Sequence, residues 1–377
     1  MRVDTHFTDD DWARIERDWT SWWAHDLPRP LVMVNGTDTP GRLRFLLSMV
    51  RKRLGLRRAS FWELLDRPLP TVFPADAAAE EILDAYGELH SSILCHGDCW
   101  PRWWPNFGPG VMAGYLGASV NSAPDTVWFQ REEPIDLETW HPADDPANPW
   151  RRRVLSLTRR AVERWGGTTA VGFTDLGGGL DVLASLRGTE RLLMDTIERP
   201  DAVERLAKEI TRCWLACYDE LDAAIRPQGR GSASWAHLWS PGRAYMLQCD
   251  FSYMISPAMF ERFALPDLEA CCGALDHAFY HLDGKGALPH LDMLLYLKRL
   301  RDIQWIPGAG APPAEEWMPV LKRIRDAGKL CQLYVSAAGA LRITRELGGR
   351  GFAFYVNDTM SPSRARDFLR AVKAEAR

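Results

Sequence analysis

The stretch AFYHLDGKGALPHLDMLLYLKRLRDIQWI, residues 278–306, decides the fold. Its pattern predicts a strand at 278–282, a helix over Ala287–Leu297 and a second strand at 302–306. A helix between two short apolar runs is typical of a parallel βαβ unit. Gly284 allows the tight turn that leads from the first strand into the helix. The stretch therefore predicts one repeat of a parallel α/β sheet.

The same alternation extends to both sides of this unit. Helical segments separate most of the strands, and a series of this kind specifies a closed (β/α)8 TIM barrel. One strand more than eight is predicted, so one is misassigned or lies outside the barrel. The further predicted strands are 31–34, 92–95, 169–173, 232–237, 245–250, 330–334 and 352–356.

No long low-complexity linker divides the chain, so residues 1–377 are predicted to form a single domain. Two additions to the barrel are expected. Residues 1–29 form an N-terminal helical extension, in which Asp9–Trp23 has the apolar spacing of an amphipathic helix. Residues 118–138 form a small inserted hairpin.

Composition narrows the classes of partner. The net charge of −4 and the absence of a long basic block argue against nucleic acid or an anionic membrane as the main partner. There is no apolar run of about 18 residues and no secretory signal. The eight cysteines form no CxxC pair, which favours a reduced, cytoplasmic protein. A small-molecule substrate is expected, with a homodimer as one possible assembly.

Polar residues at the carboxyl ends of barrel strands line the active site of such folds. Asp98, Asp250 and Asp283 are the predicted catalytic residues on this rule. The predicted substrate-binding residues share the same strand ends. The chain's seventeen tryptophans suit core packing first, and their flat faces also suit sugars, aromatic rings and methylated ammonium groups. These substrate-binding residues are Trp235, Trp239, Gln248, Gln304 and Trp305.

A divalent metal is the predicted cofactor. His281 and Asp283 are two residues apart on one strand, so both side chains lie on the same face and can reach one ion or one substrate. His237 is assigned as the third ligand, with Asp250 and His96 as the alternatives. Such an oxygen-rich set suits zinc less than a thiolate set does, and manganese or iron would compete for it.

Several motifs resemble the uroporphyrinogen decarboxylase superfamily, which includes the methylcobamide:coenzyme M methyltransferases. The segment 255–260 with Leu265-Pro266 resembles the Ser-Pro-x-x-Phe helix opening of the family and its following Leu-Pro. His281-Leu282-Asp283-Gly284 lies where the methyltransferases carry His-x-Cys-Gly. The resemblance covers residues 160–377 well and the first 150 loosely. The other matching segments are Gln304-Trp305 with Gly308, 175–178 with Arg187-Gly188, and 193–195.

This resemblance implies a barrel, a zinc ion and a corrinoid carried by a partner protein docked at the mouth. The chain departs from the family in two places. It lacks the Arg-Gln-Ala-Gly-Arg loop of the porphyrin decarboxylases, and Asp283 replaces the first zinc-binding cysteine of the methyltransferases. The late cysteine, Cys331, begins a predicted strand instead of ending one.

Four functions remain open at this point. The first is metal-assisted methyl transfer of the corrinoid-linked type. The second is a decarboxylase or lyase acting on a small acid, with Asp98 or Asp250 stabilising a protonated intermediate. The third is a carbohydrate-active hydrolase with paired carboxylates. The fourth is a binding protein that has lost the ancestral metal site.

Overall fold

A computed structural model describes residues 5–143 and 145–376 of the chain. None of the helices in these ranges is both long and apolar enough to cross a membrane. The helices are α1 (Asp9–Trp23), α2 (Thr39–Arg53), α3 (Phe61–Asp66), α4 (Leu69–Val72), α5 (Ala79–His90), α6 (Met112–Tyr115), α7 (Pro149–Trp165), α8 (Gly179–Arg187), α9 (Thr189–Glu198), α10 (Pro200–Ile225), α11 (Pro257–Phe263), α12 (Leu265–Ala274), α13 (Leu291–Tyr296), α14 (Met318–Asp326), α15 (Ala337–Leu347) and α16 (Pro362–Glu375). The strands are β1 (Leu31–Gly36), β2 (Leu94–Gly97), β3 (Arg102–Trp103), β4 (Ser119–Ala123), β5 (Thr126–Gln130), β6 (Ala170–Val171), β7 (Ser232–Ala233), β8 (Trp239–Ser240), β9 (Ala244–Gln248), β10 (His277–Asp283), β11 (Leu300–Ile306), β12 (Leu330–Val335) and β13 (Phe352–Met360).

Seven strands form one hydrogen-bonded sheet in the order β2-β1-β13-β12-β11-β10-β9. Every neighbouring pair is parallel except β1 and β2, which are antiparallel. A separate parallel pair joins β3 to β6, and β7 forms an antiparallel hairpin with β8. The parallel strands are connected through helices, as the βαβ pattern of the sequence predicts.

A closed eight-stranded ladder was predicted, and the described strands do not form one. Backbone pairing stops at β9 on one edge of the large sheet and at β2 on the other. The sheet nevertheless curls around a shared core, because Met33 of β1, Met246 of β9 and Ala170 of β6 belong to one buried cluster. The molecule is therefore a mixed α/β protein with a barrel-like sheet.

Successive side chains along a strand pack into two different apolar clusters. In β13, Ala353 belongs to the inner cluster, whereas Phe352 and Phe354 pack outward against the cluster that includes the helices. Parallel strands covered on both faces are expected to be apolar almost throughout, since successive side chains point to opposite sides. A polar residue on the inner face of such a strand is therefore a candidate for function.

Helix α1 closes the amino-terminal end of the sheet. Thr8 begins this helix through a capping box with Asp11. The indole Nε1 of Trp22 donates to the carbonyl of Phe352, the first residue of β13, at 3.1 Å. Four tryptophans of α1 are buried in the inner cluster, which places function at the opposite end. These tryptophans are Trp12, Trp19, Trp22 and Trp23.

The segment predicted as a hairpin contains one. Strands β4 and β5 pair antiparallel from Ser119 opposite Gln130 to Ala123 opposite Thr126. Val127 and Phe129 are buried on one face of β5, and Thr126, Trp128 and Gln130 are exposed on the other. This alternation is the pattern of a half-buried strand at the surface.

Candidate functional site

Three potential metal ligands meet at the mouth, the end of the sheet at which its parallel strands finish. His281 and Asp283 project from the same face of β10, and Asp250 follows β9 after one intervening residue. One ligand atom from each residue lies within 4.8 Å of the other two. The sequence predicted that His281 and Asp283 share a face, and the pairing of β9 with β10 adds Asp250.

A chain of two glutamines orients His281. The Nδ1 of His281 lies 2.5 Å from Oε1 of Gln304, and Nε2 of Gln304 donates to Oε1 of Gln332. Because the amide nitrogen of Gln304 is used for Gln332, its oxygen faces the imidazole and accepts from Nδ1–H. The lone pair of His281 is then on Nε2, which is the nitrogen available to a metal.

The charge of Asp283 disfavours the ionised form of Asp250. Oδ1 of Asp283 is buried and has no hydrogen-bond partner among the residues described. Burial raises the pKa of Asp250, the charge of Asp283 raises it further, and His281 opposes both. A cation between the two carboxylates would relieve this repulsion and give the orphaned oxygen a partner.

Two further carboxyl groups support the site from below. Asp181, in the first turn of α8, accepts hydrogen bonds from the backbone N–H groups of Asp250 at 3.0 Å and Phe251 at 2.7 Å. Burial, together with the nearby charge of Asp250, raises the pKa of Asp181 to about 7. Burial likewise raises the pKa of Asp175 to about 7. The site therefore holds acid groups that titrate near neutrality.

The two glutamines that were predicted to bind substrate form hydrogen bonds with other side chains. Nε2 of Gln248 donates to Oδ1 of Asp175 at 3.1 Å, and Gln248 is almost fully buried. Gln304 is fully buried beneath His281 and orients that ring. Both glutamines lie next to the site. Gln304 holds His281 in place, and its own side chain is not accessible to a substrate.

Trp235 lies at the mouth. Its ring packs edge-to-face on the imidazole of His281, with the ring centroids 5.1 Å apart. Trp235 is only partly buried, so its indole remains available to a ligand that approaches His281. This is the placement that was predicted for a substrate-binding tryptophan.

The prediction that Asp98 lies at the mouth is wrong. Strand β2 is antiparallel to β1, so its end returns to the beginning of β1, where Val32 donates to Oδ2 of Asp98 at 2.8 Å. Arg29 pairs with both carboxylate oxygens of Asp98, at 2.7 and 2.9 Å. Asp98 is thus a buried structural anion at the closed end. His96, an alternative metal ligand, lies on this same antiparallel strand.

The structure does not bring His237, the predicted third metal ligand, together with His281 and Asp283. Its ring stacks on Tyr355 with centroids 3.6 Å apart, and its nitrogens face Arg102 at 2.9 Å and Tyr334 at 3.2 Å. Both ring nitrogens are therefore engaged, and the ring is absent from the group of Asp250, His281 and Asp283.

Trp239 and Trp305 do not line the mouth. The β7–β8 hairpin returns the chain to the closed end, where the carbonyl of Trp239 accepts from Trp23 at 2.9 Å. Trp305 follows the inward Gln304 on β11 and therefore points outward, against Trp317. Both indoles are almost fully buried.

Two polar residues of this region escaped prediction. Gln332 is fully buried within the otherwise apolar strand β12, and an amide in such a run is a signal that could have been used. Arg102 on the short strand β3 faces a cavity together with His237. The two residues of β3 give no periodic pattern, so the local sequence carries no signal for Arg102.

Comparison with known proteins adds information on the fold. No family model matches the chain, and no curated protein sequence does. Among solved structures, a methyltransferase from Methanosarcina mazei is similar over 96% of this chain and 98% of its own, with a TM-score of 0.58. The two sequences are 15% identical. At that identity the likeness establishes a shared architecture over nearly the whole chain.

Proposed function

We propose that this protein is a methyltransferase that uses a divalent metal held by Asp250, His281 and Asp283. The observation that carries the proposal is the convergence of three ligand atoms within 4.8 Å at the mouth. Support also comes from the shared architecture with a protein named as a methyltransferase, and from the motif resemblance around His281. Fold alone does not determine a reaction, so the donor set bears most of the argument.

The residues present fit a metal. His281 offers Nε2, with its other nitrogen held by Gln304 in the manner typical of metal-bound histidines. Oδ1 of Asp283 is buried without a partner, which is costly for a carboxylate in the absence of a cation. Three protein ligands with an open position are the arrangement of a catalytic site, not of a closed structural one.

The ligands limit the choice of metal but do not fix it. One imidazole and two carboxylates form a harder set than the thiolate sets that hold zinc most tightly. Zinc is the ion that the family resemblance implies, and manganese or iron(II) would compete for these oxygen ligands. When bound, the ion would supply Lewis acidity to a methyl acceptor.

The protein residues have separate tasks around the acceptor. Asp250 and Asp283 provide negative charge that balances the cation, and His281 fixes its position. Asp175 and Asp181, with pKa values of about 7, can hold or release a proton beside the site near neutral pH. Trp235 covers one side of His281 and restricts water there.

The methyl donor in this proposal is a methylated corrinoid carried by a partner protein that docks at the mouth. The family resemblance supports this part of the proposal. The assay supplies free methylcobalamin and a thiol or alcohol acceptor. Visible absorbance then monitors the demethylation of the cobalamin. Loss of turnover in Asp283→Asn is the expected result.

Metal titration tests the proposal directly. Chelator-treated protein should bind one divalent ion per chain, and His281→Ala or Asp283→Asn should weaken binding about a hundredfold or more, since loss of even an outer-shell partner weakens binding about 10- to 100-fold. The matched controls are His141→Ala and Asp292→Asn, whose side chains are exposed at the surface. Binding that is equal in all five proteins would contradict the proposed metal site.

A decarboxylase or lyase is the second candidate, because acids with pKa values of about 7 stand beside the mouth and could protonate a carbanion. The hydrolase is less favoured. Two of the three tryptophans that would stack on a sugar, Trp239 and Trp305, are buried away from the mouth.

A further inference from the structure

Arg102 is a partly buried cation that has no carboxylate partner in the described part of the chain. Its Nη1 donates to the backbone carbonyls of Ser234, Trp235 and Ala236 at 2.8, 3.0 and 3.1 Å. Its Nη2 lies 2.9 Å from Nε2 of His237. In residues 5–143 and 145–376, no Asp or Glu oxygen lies within 4.0 Å of this guanidinium, and its Nε donates to no residue.

The neighbours of Arg102 do not neutralise it. Burial, with the charge of Arg102, holds the pKa of His237 well below its usual range, so the ring is neutral and accepts from the guanidinium. The hydrogen bond with Cys99, together with burial, raises the pKa of the Cys95 thiol, so this thiol does not supply a balancing negative charge. The three carbonyl dipoles offset only part of the cost of desolvating the Arg102 cation, and an anion would offset more of it.

Arg102 borders a cavity of about 500 Å³. This volume lies in the range of about 300–1,000 Å³ that small-molecule sites occupy. The lining of the cavity is rich in aromatic rings, and Tyr334, Tyr355 and Asn35 add hydroxyl and amide groups. The aromatic residues of the lining include Tyr86, Trp100, Trp103 and Trp104.

The cavity adjoins the proposed metal site through one short segment. The carbonyl of Trp235 accepts a hydrogen bond from Arg102, and the ring of Trp235 packs on the imidazole of His281. His237, two residues later, lies between Arg102 and Tyr334. A molecule anchored at Arg102 would therefore lie close to the residues that position His281.

We propose that this cavity binds a small organic acid with an aromatic body, whose carboxylate pairs with Arg102. A guanidinium with a free Nε–H is suited to a planar carboxylate, and the indole walls are suited to a flat ring. The role of this acid as the substrate of the methyl transfer rests on the proposed function. Its binding in the cavity does not.

The test is ligand binding by the metal-free protein. Thermal stabilisation and titration calorimetry would be measured in chelator with benzoate, 4-methoxybenzoate and phenylacetate, each compared with its neutral amide. We expect the acids to bind and the amides to bind at least about tenfold more weakly, because the amide leaves the guanidinium unpaired. This comparison uses the unaltered chain and does not depend on a variant that folds.

Two variants locate the site. Arg102→Lys keeps the charge but loses the planar donor, so acid affinity should fall at least about tenfold. Arg342→Lys, at an exposed arginine on α15, should leave it unchanged. Acids that bind no better than amides, or equal binding by Arg102→Lys and the unaltered protein, would overturn the proposal. Retained acid binding in His281→Ala, with metal binding lost, separates this proposal from the metal site.

Discussion

Asp302 offers a quantitative prediction about stability. It is fully buried on β11, opposite Phe279 of β10 and Leu330 of β12, which both belong to the inner apolar cluster. Burial raises the pKa of Asp302 to about 8, and the backbone amides of Ile303 and Gln332 offset only part of this shift. The folded protein therefore holds a neutral carboxylic acid in its core at pH 7.

The raised pKa couples folding to pH. In the unfolded chain Asp302 loses its proton near pH 3.8, whereas the folded protein retains it up to about pH 8. Its contribution to stability is complete below pH 3.8 and is lost as pH rises through about 8. Each unit of difference in pKa corresponds to about 1.4 kcal/mol, so the whole interval is on the order of 5 kcal/mol.

Asp302→Asn removes this proton linkage while it keeps the size of the side chain. We expect the free energy of unfolding of the variant, relative to the unaltered protein, to rise by about 1.4 kcal/mol per pH unit between pH 5 and 7. The measurement is urea unfolding at pH 5 to 9, followed by tryptophan fluorescence. Asp175 and Asp181 titrate in both proteins and cancel in the difference.

The control is Asp292→Asn, at an exposed aspartate on α13. Its stability should run parallel to that of the unaltered protein at every pH. Parallel curves for Asp302→Asn as well would refute the reasoning, since they would mean that Asp302 is ionised in the folded protein. Equal m-values would confirm that the variant unfolds through the same change in exposed surface.

Three other predictions follow from the packing. Gln304→Leu should weaken metal binding about 10- to 100-fold by releasing His281, and chelator competition would measure it; equal affinity would contradict the glutamine chain. Arg29→Ala should lower the free energy of unfolding by about 3 kcal/mol, because buried Asp98 loses its closest cation and keeps, among the residues described, only Arg14 at 3.9 Å, while metal affinity is unchanged. Trp23→Phe loses the hydrogen bond to the carbonyl of Trp239 and part of a buried ring, so it should lower the free energy of unfolding in urea by at least about 1 kcal/mol; no change would contradict this packing.

Local periodicity predicted much of the fold. The amphipathic spacing of Asp9–Trp23 predicted α1 with the bounds that the structure has. The βαβ pattern of residues 278–306 predicted β10 and β11, although the helix between them begins as a 3-10 turn at Lys285–His290. These features depend on residues close together in the chain, so the sequence carries them directly.

Alternation along β11 explains why Trp305 does not line the mouth as predicted. Gln304 and Trp305 were both assigned to the mouth, but adjacent residues of a strand point to opposite faces. The alternation was available in the sequence and assigns one inward position only. The same rule correctly placed His281 and Asp283 on one face.

The remaining errors depended on the direction of strands. Whether β2 runs with or against β1 decides at which end Asp98 lies, and the β7–β8 hairpin decides the same for Trp239. No short stretch of sequence contains this information, because pairing joins residues that are far apart in the chain. Arg102 and His237 are 135 residues apart in the chain, and only the folded sheet brings them into contact. Sequence determined which residues alternate and where helices begin; tertiary structure decided which ends of the strands meet, because strand direction is set by long-range packing and not by local propensity.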